Sequence, residues 1–224
     1  MATSSWQNIS YSIEIIRQIN PTSVLDVGCG FGRWGYLCRE FLDVWNKRTY
    51  PESWQTNIEG IEIYPRNITA AHNYVYNKIH IGDAKNVIDA LGSYDLIIFG
   101  DVLEHFTKQD GALLLQKAIR HAKKGVLIHI PLGPNWEQGA RDGNPFENHL
   151  AFWDVKDLRR YNAKIKIFRD HIGRRFAVAY ILNKGIRMPT NIGVWFLKWR
   201  LARINDLKLI FYWMKSIIGK TGLL

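Results

Sequence analysis

The chain has 224 residues, 47% of them hydrophobic and 13% aromatic, and its formal net charge is +10. This composition excludes an intrinsically disordered protein, and the length suits one α/β domain with an appendage. Two cysteines are too few for a disulfide framework. The longest apolar run, 209–214, is far shorter than the roughly 20 residues that cross a bilayer, and no secretory signal is apparent. We therefore expect a cytoplasmic protein.

Strands and helices alternate along the first 130 residues. The predicted strands are 23–27, 58–63, 78–81, 94–99 and 126–130, and the predicted helices are 8–19, 32–44, 66–76 and 111–122. The strand at 94–99 carries a run of apolar residues, as expected for a central parallel strand that is covered on both faces. An irregular connection, 47–57, contains Tyr50 and Trp54, which either wall a substrate pocket or pack on the surface.

The remaining part of the predicted domain departs from this alternation. A segment rich in Gly, Pro and Asn follows Pro131, and a helix is predicted at 154–161. Two strands, 163–170 and 174–182, are close enough to form a hairpin. The sequence therefore predicts an α/β fold with a Rossmann-like, doubly wound, mostly parallel seven-stranded sheet that ends in an antiparallel hairpin. This domain covers 1–184, and a basic, aromatic-rich helical tail covers 185–224.

The stretch 24–35 has the pattern of a nucleotide-binding turn: an apolar strand, an acid at its end, and glycines that open a helix. A glycine turn without a ligand is one alternative. A nicotinamide site is another, because the residues from Gly30 to Gly35 satisfy G-x-G-x-x-G. However, Asp26 precedes the glycines, where it would repel a pyrophosphate and attract an ammonium group. The next strand-end acid, Glu62, also follows too late for a nicotinamide site.

The acids that follow complete a pattern that resembles the class I S-adenosylmethionine-dependent methyltransferases. The first motif of that family resembles the residues from Asp26 to Gly32, and the fourth resembles those from Tyr94 to His105. Its second motif, an acid that binds the ribose hydroxyls, matches Glu62, and its third, an acid that binds the adenine amino group, matches Asp83. The resemblance implies S-adenosylmethionine as the cofactor. The cofactor-binding residues that it implies are Asp26, Gly28, Cys29, Gly30, Glu62, Ile63, Asp83, Ala84 and Asp101.

Methyl transfer to a hydroxyl group requires a base that removes the proton, and histidine is suited to this task near neutral pH. His105 follows the fourth strand directly, and His149 follows the next long loop, so both are candidate bases. Asp101 is expected to position the reacting groups. His129 lies in the middle of a strand, so we interpret it as a core histidine.

A hydroxyl of a sugar or of a glycan or lipid-linked intermediate is the favoured acceptor. No Asn-Pro-Pro-Tyr motif follows the fourth strand, which disfavours amino-group methylation, and no cysteine follows it to act as a nucleophile. The loop after Pro131 combines an aromatic residue with polar groups that suit a polar ligand, and a solvated loop of the same composition is the alternative. These residues are Trp136, Glu137, Gln138, Arg141, Asp142 and Asn144.

Two alternative functions stay open. The pattern Asp101-x-x-Glu104-His105 with the later His149 also resembles the small-RNA 2′-O-methyltransferases, in which such residues bind a divalent metal. That resemblance implies Asp101, Glu104, His105 and His149 as metal ligands and an RNA ribose as the acceptor. Many sugar methyltransferases carry Glu-His at this place without a metal, so the metal is not the favoured interpretation. The other alternative is a non-catalytic binding partner with a methyltransferase-like fold.

The C-terminal tail carries most of the net charge, because eight basic residues and one acid follow Asn183. Lys208 and Lys215 are seven residues apart and would share one face of a helix whose other residues are large and apolar. This pattern is typical of a helix that lies on an anionic membrane surface. Packing on the domain or formation of a homodimer is the alternative. Nucleic acid binding is less favoured, because the apolar area exceeds what a phosphate groove needs.

Overall fold

The computed structural model describes residues 5–140, 143–183 and 185. The helix predicted in the tail lies outside the described residues, and so do the predictions that depend on it, namely membrane association and dimer formation. None of the described helices is long and apolar enough to cross a membrane.

Seven strands form one sheet in the order β3-β2-β1-β4-β5-β7-β6. Strands β1 to β5 pair in parallel, and β7 runs antiparallel to both of its neighbours, β5 and β6. The predicted mostly parallel sheet with an antiparallel terminal hairpin is therefore confirmed. The strands are β1 Ser23–Val27, β2 Asn57–Glu62, β3 Lys78–Ile81, β4 Tyr94–Gly100, β5 Ala122–Pro131, β6 Lys164–Arg169 and β7 Arg175–Leu182.

Helices fill the connections between the strands. They are α1 Ile9–Ile19, α2 Arg33–Leu42, α3 Ala70–Val75, α4 Ala84–Val87, α5 Lys108–His121 and α6 Val155–Arg159. Local capping explains where they differ from the prediction. Helix α5 begins three residues early because the Thr107 side chain accepts a hydrogen bond from the amide of Asp110. Helix α3 begins only at Ala70, where a capping box joins Thr69 and His72. Helix α4 has four residues, too few to produce a periodic signal, and was not predicted.

The centre of the sheet is buried on both faces. In β4, every residue from Tyr94 to Phe99 is buried, as the apolar run predicts for a central parallel strand. Each fully buried large apolar side chain contributes about 1.5–3 kcal/mol to folding, so this strand is a major source of stability. The connections from β1 and β4 leave in opposite directions along the sheet, which opens a crevice at the carboxyl ends of these two neighbouring strands.

The irregular connection before β2 packs on the surface. Tyr50 is 67% exposed, while the ring of Trp54 lies 4.2 Å from the Arg39 guanidinium and 5.3 Å from the ring of Tyr74. Arg39 in turn donates to Asp43, which is fully buried. Neither aromatic residue lines the cavity described below, which favours the alternative that they pack on the surface.

Candidate active site

A cavity of about 570 Å³ lies at the carboxyl ends of the parallel strands, within the range of small-molecule sites. One side is formed by residues that directly follow β1, β2, β3 and β4. The other side is formed by the segment between β5 and α6, together with Phe176 of β7. We call these two sides the donor half and the acceptor half, since the predicted cofactor residues lie on the first.

The backbone of the glycine loop after β1 has a conformation in which other residue types would be strained. Gly28, Gly30 and Gly32 all have positive φ angles, of 65°, 52° and 84°. A Cβ atom on Gly28 would lie 2.7 Å from a methyl carbon of Val102, so a side chain there would also collide with the residue after Asp101. Gly28, Cys29 and Gly30 line the cavity, and their backbone is open to a ligand.

Helix α3 holds the glycine loop from behind. The Nε2 atom of His72 lies 2.9 Å from the carbonyl oxygen of Gly30, which can only accept, so Nε2 carries the proton. Its Nδ1 atom then accepts from the amide of Thr69. The hydroxyl of Tyr76 accepts from the amide of Gly35. Sequence reasoning missed both side chains, because about 40 residues separate them from the loop and no local pattern links the two.

Asp26 lies behind the glycine loop and is not among the described residues that line the cavity. Its side chain is 1% exposed and accepts a hydrogen bond of 2.6 Å from the hydroxyl of Tyr76. Burial raises the pKa of Asp26 to about 7, and the hydrogen bond from Tyr76 opposes that rise. In this structure Asp26 therefore supports the loop through Tyr76, and its Oδ1 atom has no hydrogen-bond partner among the described residues. The contact with the cofactor ammonium that the resemblance implies stays a prediction.

Glu62 and Asp83 lie where the sequence places them, at the carboxyl ends of β2 and β3. The carboxylate of Glu62 accepts from the amide of Gly30 and from the amide of Tyr64, both at 2.8 Å. Burial raises the pKa of Glu62, and these donors oppose the rise. Asp83 caps α4 by accepting from the amide of Lys85 at 2.9 Å. Both acids line the cavity, as do the neighbouring residues Ile63 and Ala84.

Asp101 has a left-handed backbone conformation, with a φ angle of 58°. Aspartate tolerates this region better than most residues, and such conformations concentrate at functional sites. The amide of Asp101 donates to the carbonyl of His129 at 3.1 Å, which ties the residue to β5. Asp101 lines the cavity between the glycine loop and the acceptor half.

Three side chains that the sequence analysis singled out come together at the boundary between the two halves. Ligand atoms of Glu104, His105 and His149 all lie within 4.8 Å of one another, and Asp101 lies outside this cluster. The Nδ1 atom of His105 lies 3.1 Å from the carbonyl of Asn148, so the lone pair of the neutral ring is on Nε2. Burial lowers the pKa of His105, which keeps the ring neutral at pH 7.

Glu104 is 1% exposed, and among the described residues neither of its carboxylate oxygens has a hydrogen-bond partner. Burial raises its pKa well above the usual range, and the carboxylates of Asp101 and Glu147 raise it further. A buried carboxyl group without partners is costly, so it indicates a place where a ligand or an ion completes the site. The backbone carbonyl of Glu104 accepts from the amides of Leu150 and Ala151, which fixes the chain that carries His149.

His129 has the role expected of a core histidine. It is fully buried, its Nε2 atom lies 2.8 Å from the hydroxyl of Ser12, and its ring stacks on Trp34 with 4.0 Å between centroids. Burial lowers its pKa to about 3, so it is neutral at physiological pH.

In the acceptor half, the ring of Trp136 is fixed by its surroundings. Its Nε1 atom donates to the carbonyl of Arg175 at 2.7 Å, and the Arg174 guanidinium lies 3.9 Å from the ring. Phe176 meets it edge to face at 6.4 Å. Gln138 and Asn144 also line the cavity. Glu137 does not, and Arg141 and Asp142 lie outside the described residues.

The cavity lining is acidic. Six of the described lining residues carry carboxyl groups and two carry permanent positive charges. Such a site favours a cationic or neutral ligand and disfavours a phosphate. The acids are Glu62, Asp83, Asp101, Glu104, Asp110 and Glu147, and the bases are Arg33 and Lys85.

Comparisons with known proteins agree with this architecture. An O-methyltransferase family protein from Burkholderia thailandensis superposes with a TM-score of 0.54 and 13% identity, over 80% of this chain and 56% of that one. Magnesium protoporphyrin IX methyltransferase from Synechocystis PCC 6803 with bound S-adenosylhomocysteine gives 0.55 and 13%, over 80% and 83%. A small RNA methyltransferase gives 0.53 and 21%, over 82% of this chain and 26% of that one. No curated protein matches the sequence.

These structural likenesses establish the fold. A family model described as a methyltransferase domain matches residues 12–170, which is most of the chain. The chain therefore belongs to the methyltransferase domain family, of the class I group whose methyl donor is S-adenosylmethionine.

Proposed function

We propose that this protein transfers a methyl group from S-adenosylmethionine to a hydroxyl group of a sugar or of a glycan or lipid-linked intermediate. The observation that carries the proposal is the position of His105. It is a neutral, oriented base at the boundary between a donor half that suits the cofactor and an acceptor half that suits a neutral polar ring.

The donor half fits the cofactor. The open backbone of Gly28 and Gly30 leaves room for a ligand beside β1, and Glu62 and Asp83 offer carboxylate oxygens at the ends of the next two strands. Each of these oxygens can accept a further hydrogen bond, from ribose hydroxyls in one case and from an amino group in the other. The acidic lining also suits the cofactor's sulfonium and ammonium charges. When bound, S-adenosylmethionine supplies an electrophilic methyl group.

The protein's own contribution to catalysis is to position the acceptor hydroxyl and to accept its proton. The hydrogen bond between Nδ1 of His105 and the Asn148 carbonyl fixes the ring and leaves the Nε2 lone pair for the acceptor. Burial keeps the pKa of His105 low, so the base is ready at neutral pH. The ring of His149 lies 5.0 Å from that of His105 and is the second candidate.

The acceptor half supports a neutral ring with hydroxyl groups. The fixed ring of Trp136 provides an apolar surface for the carbon face of a sugar. Because existing contacts already hold this ring, the side chain loses little conformational entropy when the sugar binds. Gln138 and Asn144 provide amide groups along the same wall. The six carboxyl groups of the cavity disfavour an acceptor with a phosphate next to the reacting hydroxyl.

Calorimetry with S-adenosylhomocysteine and a methyl-transfer assay over a panel of free and nucleotide-linked sugars test this function. We expect saturable binding of S-adenosylhomocysteine, the product of methyl transfer. A non-catalytic partner without a cofactor site would not bind it. His105→Ala is expected to lower kcat by about 100-fold or more while the product affinity stays unchanged. His80→Ala is the matched control, because His80 pairs with Glu59 outside the cavity. Full activity of His105→Ala would show that His105 is not the base and would leave His149 as the candidate.

The second candidate is a metal-assisted ribose 2′-O-methyltransferase, and the partnerless carboxylate of Glu104 beside two histidines is the observation that favours it. One carboxylate and two imidazoles form a plausible ligand set for Mn²⁺, Fe²⁺ or Zn²⁺. A bound cation would also reduce the repulsion between the acidic cavity lining and the phosphate groups of an RNA.

Metal binding separates the two candidates. If the second candidate is correct, calorimetry should show one Mn²⁺ site, and Glu104→Gln should remove it. A chelator should then abolish methylation of an RNA 3′ end. Glu59→Gln is the control, since Glu59 also faces a histidine but lies outside the cluster. Sugar methylation that is unchanged by chelator and by Glu104→Gln would exclude a metal role in the first candidate.

A further inference from the structure

The part of the chain that runs from α6 to the start of β7 is strongly basic. Positions 155–175 hold eight basic residues and two acids, whereas the rest of 1–183 holds 14 basic residues and 17 acids. Both acids, Asp157 and Asp170, already pair with basic side chains. The positive charge is therefore concentrated in one region, which includes β6, the last strand at one edge of the sheet.

The register of the hairpin of β6 and β7 brings two of these charges together. We call residues 167–175 the hairpin tip. In the tip, Arg169 of β6 lies opposite Arg175 of β7, and both residues are exposed. Like charges that lie directly opposite each other destabilise a pair of strands. An anionic partner would offset this repulsion, so the tip suits a negatively charged surface.

Apolar side chains are exposed beside these arginines. Ile172 in the turn is 64% exposed, and Ile167 is exposed on the face of β6 that also carries Arg169. Basic residues on an edge strand also prevent pairing between molecules, but that role does not account for the isoleucines. Aliphatic and basic side chains together are typical of a surface that enters the head-group region of an anionic membrane. A groove for single-stranded nucleic acid would instead carry aromatic side chains that stack on bases.

The hairpin tip adjoins the acceptor half of the cavity. The carbonyl of Arg175 accepts from Nε1 of Trp136, and the guanidinium of Arg174 lies against the same ring. Phe146 and Leu150 line the cavity and are nevertheless 45% and 61% exposed, so they form an apolar part of its rim. A membrane that binds the tip would therefore lie next to the acceptor half.

We propose that the hairpin tip binds an anionic membrane surface and places the acceptor half beside an acceptor that is anchored in the lipid. The inference rests on the proposed function for its reaction, and it selects the lipid-linked class among the acceptors of that function. The charges of the two regions are complementary to such an acceptor. Anionic head groups would contact Arg169 and Arg175, while a neutral sugar would enter the acidic cavity.

Vesicle flotation with the full chain tests this surface. We expect binding to mixed vesicles of phosphatidylcholine and phosphatidylserine, and little binding to phosphatidylcholine alone. Arg169→Gln combined with Arg175→Gln should weaken binding roughly 25-fold, since each basic residue near an anionic surface contributes about fivefold. Ile172→Ser should weaken binding about fivefold through the loss of apolar contact with the lipid. These side chains are exposed, so the affinity for S-adenosylhomocysteine should not change.

Lys78→Gln combined with Lys123→Gln is the matched control. It removes the same amount of charge from exposed lysines near the amino ends of β3 and β5, whereas the cavity lies at the carboxyl ends of the strands. Charges that lie far from the membrane are screened by salt, so we expect the control to change vesicle binding by less than about twofold.

Methyl transfer connects this surface with the acceptor class. The double arginine variant should lower the rate on glycolipids in anionic vesicles and leave the rate on the corresponding free sugars unchanged. Equal rates of this variant and the unaltered protein on glycolipids would overturn the inference.

Three further results decide the matter. Vesicle binding that persists in the hairpin variants would overturn the inference and leave the tail as the membrane contact. Binding of single-stranded RNA in place of vesicles, with loss in the double arginine variant, would overturn it in favour of a nucleic acid surface. If the unaltered protein does not bind S-adenosylhomocysteine, the proposed function fails, and the acceptor class that rests on it fails too, whereas flotation still tests the membrane surface by itself.

Discussion

The donor half and the acceptor half of the cavity are built in different ways. In the donor half, each important group directly follows a parallel strand, and most are held by backbone hydrogen bonds, such as those from Gly30 and Tyr64 to Glu62. In the acceptor half, groups distant in sequence hold one another, as Trp136 and the carbonyl of Arg175 do. The sheet therefore fixes the donor half, while the acceptor half depends on contacts between loops. Mutations in the two halves should separate cofactor binding from acceptor binding.

The largest separation is expected from Glu62→Ala. The substitution removes the acceptor of the Gly30 amide as well as the proposed ribose contact, so we expect S-adenosylhomocysteine to bind roughly 100-fold more weakly, or about 3 kcal/mol. Calorimetry measures this loss. Glu59→Gln is the matched control on the same strand, because its carboxylate bonds His80 and Tyr94 away from the cavity. Unchanged affinity in Glu62→Ala would show that the ribose assignment is wrong.

Much of the donor half could be predicted because strand ends are visible in the sequence. Glu62, Asp83 and Asp101 follow apolar runs, and the parallel order of the sheet brings such ends to one edge. What could not be predicted was the direction of each side chain. Asp26 has the right position in the chain, yet it faces Tyr76, a residue 50 positions away, and no local pattern records that contact.

The acceptor half was predictable only in part. His105 and His149 were identified as candidates by residue type, but their approach depends on the Asn148 carbonyl and on the amides of Leu150 and Ala151. These are backbone contacts, which residue identity does not encode. Trp136 was predicted as an aromatic surface, while its orientation depends on β7, almost 40 residues later.

A second test acts on the acceptor half alone. Trp136→Ala removes the fixed surface, so we expect the KM of a sugar acceptor to rise about 10-fold, with unchanged affinity for S-adenosylhomocysteine. The KM of Trp136→Phe should lie between those of the unaltered protein and Trp136→Ala, because phenylalanine keeps a ring but loses the hydrogen bond to the carbonyl of Arg175. Steady-state kinetics give the comparison, and Trp45→Ala, on the exposed surface, is the control. A loss of cofactor affinity in Trp136→Ala would mean that the two halves are not independent.

A third test concerns the support behind the donor half and measures stability instead of ligand binding. The pKa of Asp26 is about 7 in the folded protein and about 3.9 when unfolded. Between these values the folded state holds a proton that the unfolded state does not, so this group makes the free energy of unfolding fall as pH rises from about 4 to 7. Asp26→Asn should remove that part of the pH dependence.

Tyr76→Phe should have the opposite consequence, because it deletes the hydrogen bond that lowers the pKa of Asp26. We expect a loss of about 1 kcal/mol at pH 5 and a larger loss at pH 8. Urea unfolding at the two pH values measures both variants. The same loss at both pH values in Tyr76→Phe would show that Asp26 does not titrate in this window.

The way in which the acceptor half is attached to the domain has a consequence for how the range of acceptors can change. Leu132 and Trp153 pair with each other, and the amide of Gly133 donates to the carbonyl of Trp153, so the chain that carries the wall leaves and rejoins the domain at one point. Closing a longer or shorter excursion at a fixed point costs little free energy. We therefore expect that exchange of the segment 134–147 would change the acceptor range and leave binding of the methyl donor unchanged, provided that 148–151 are retained, because their backbone holds His105 and His149.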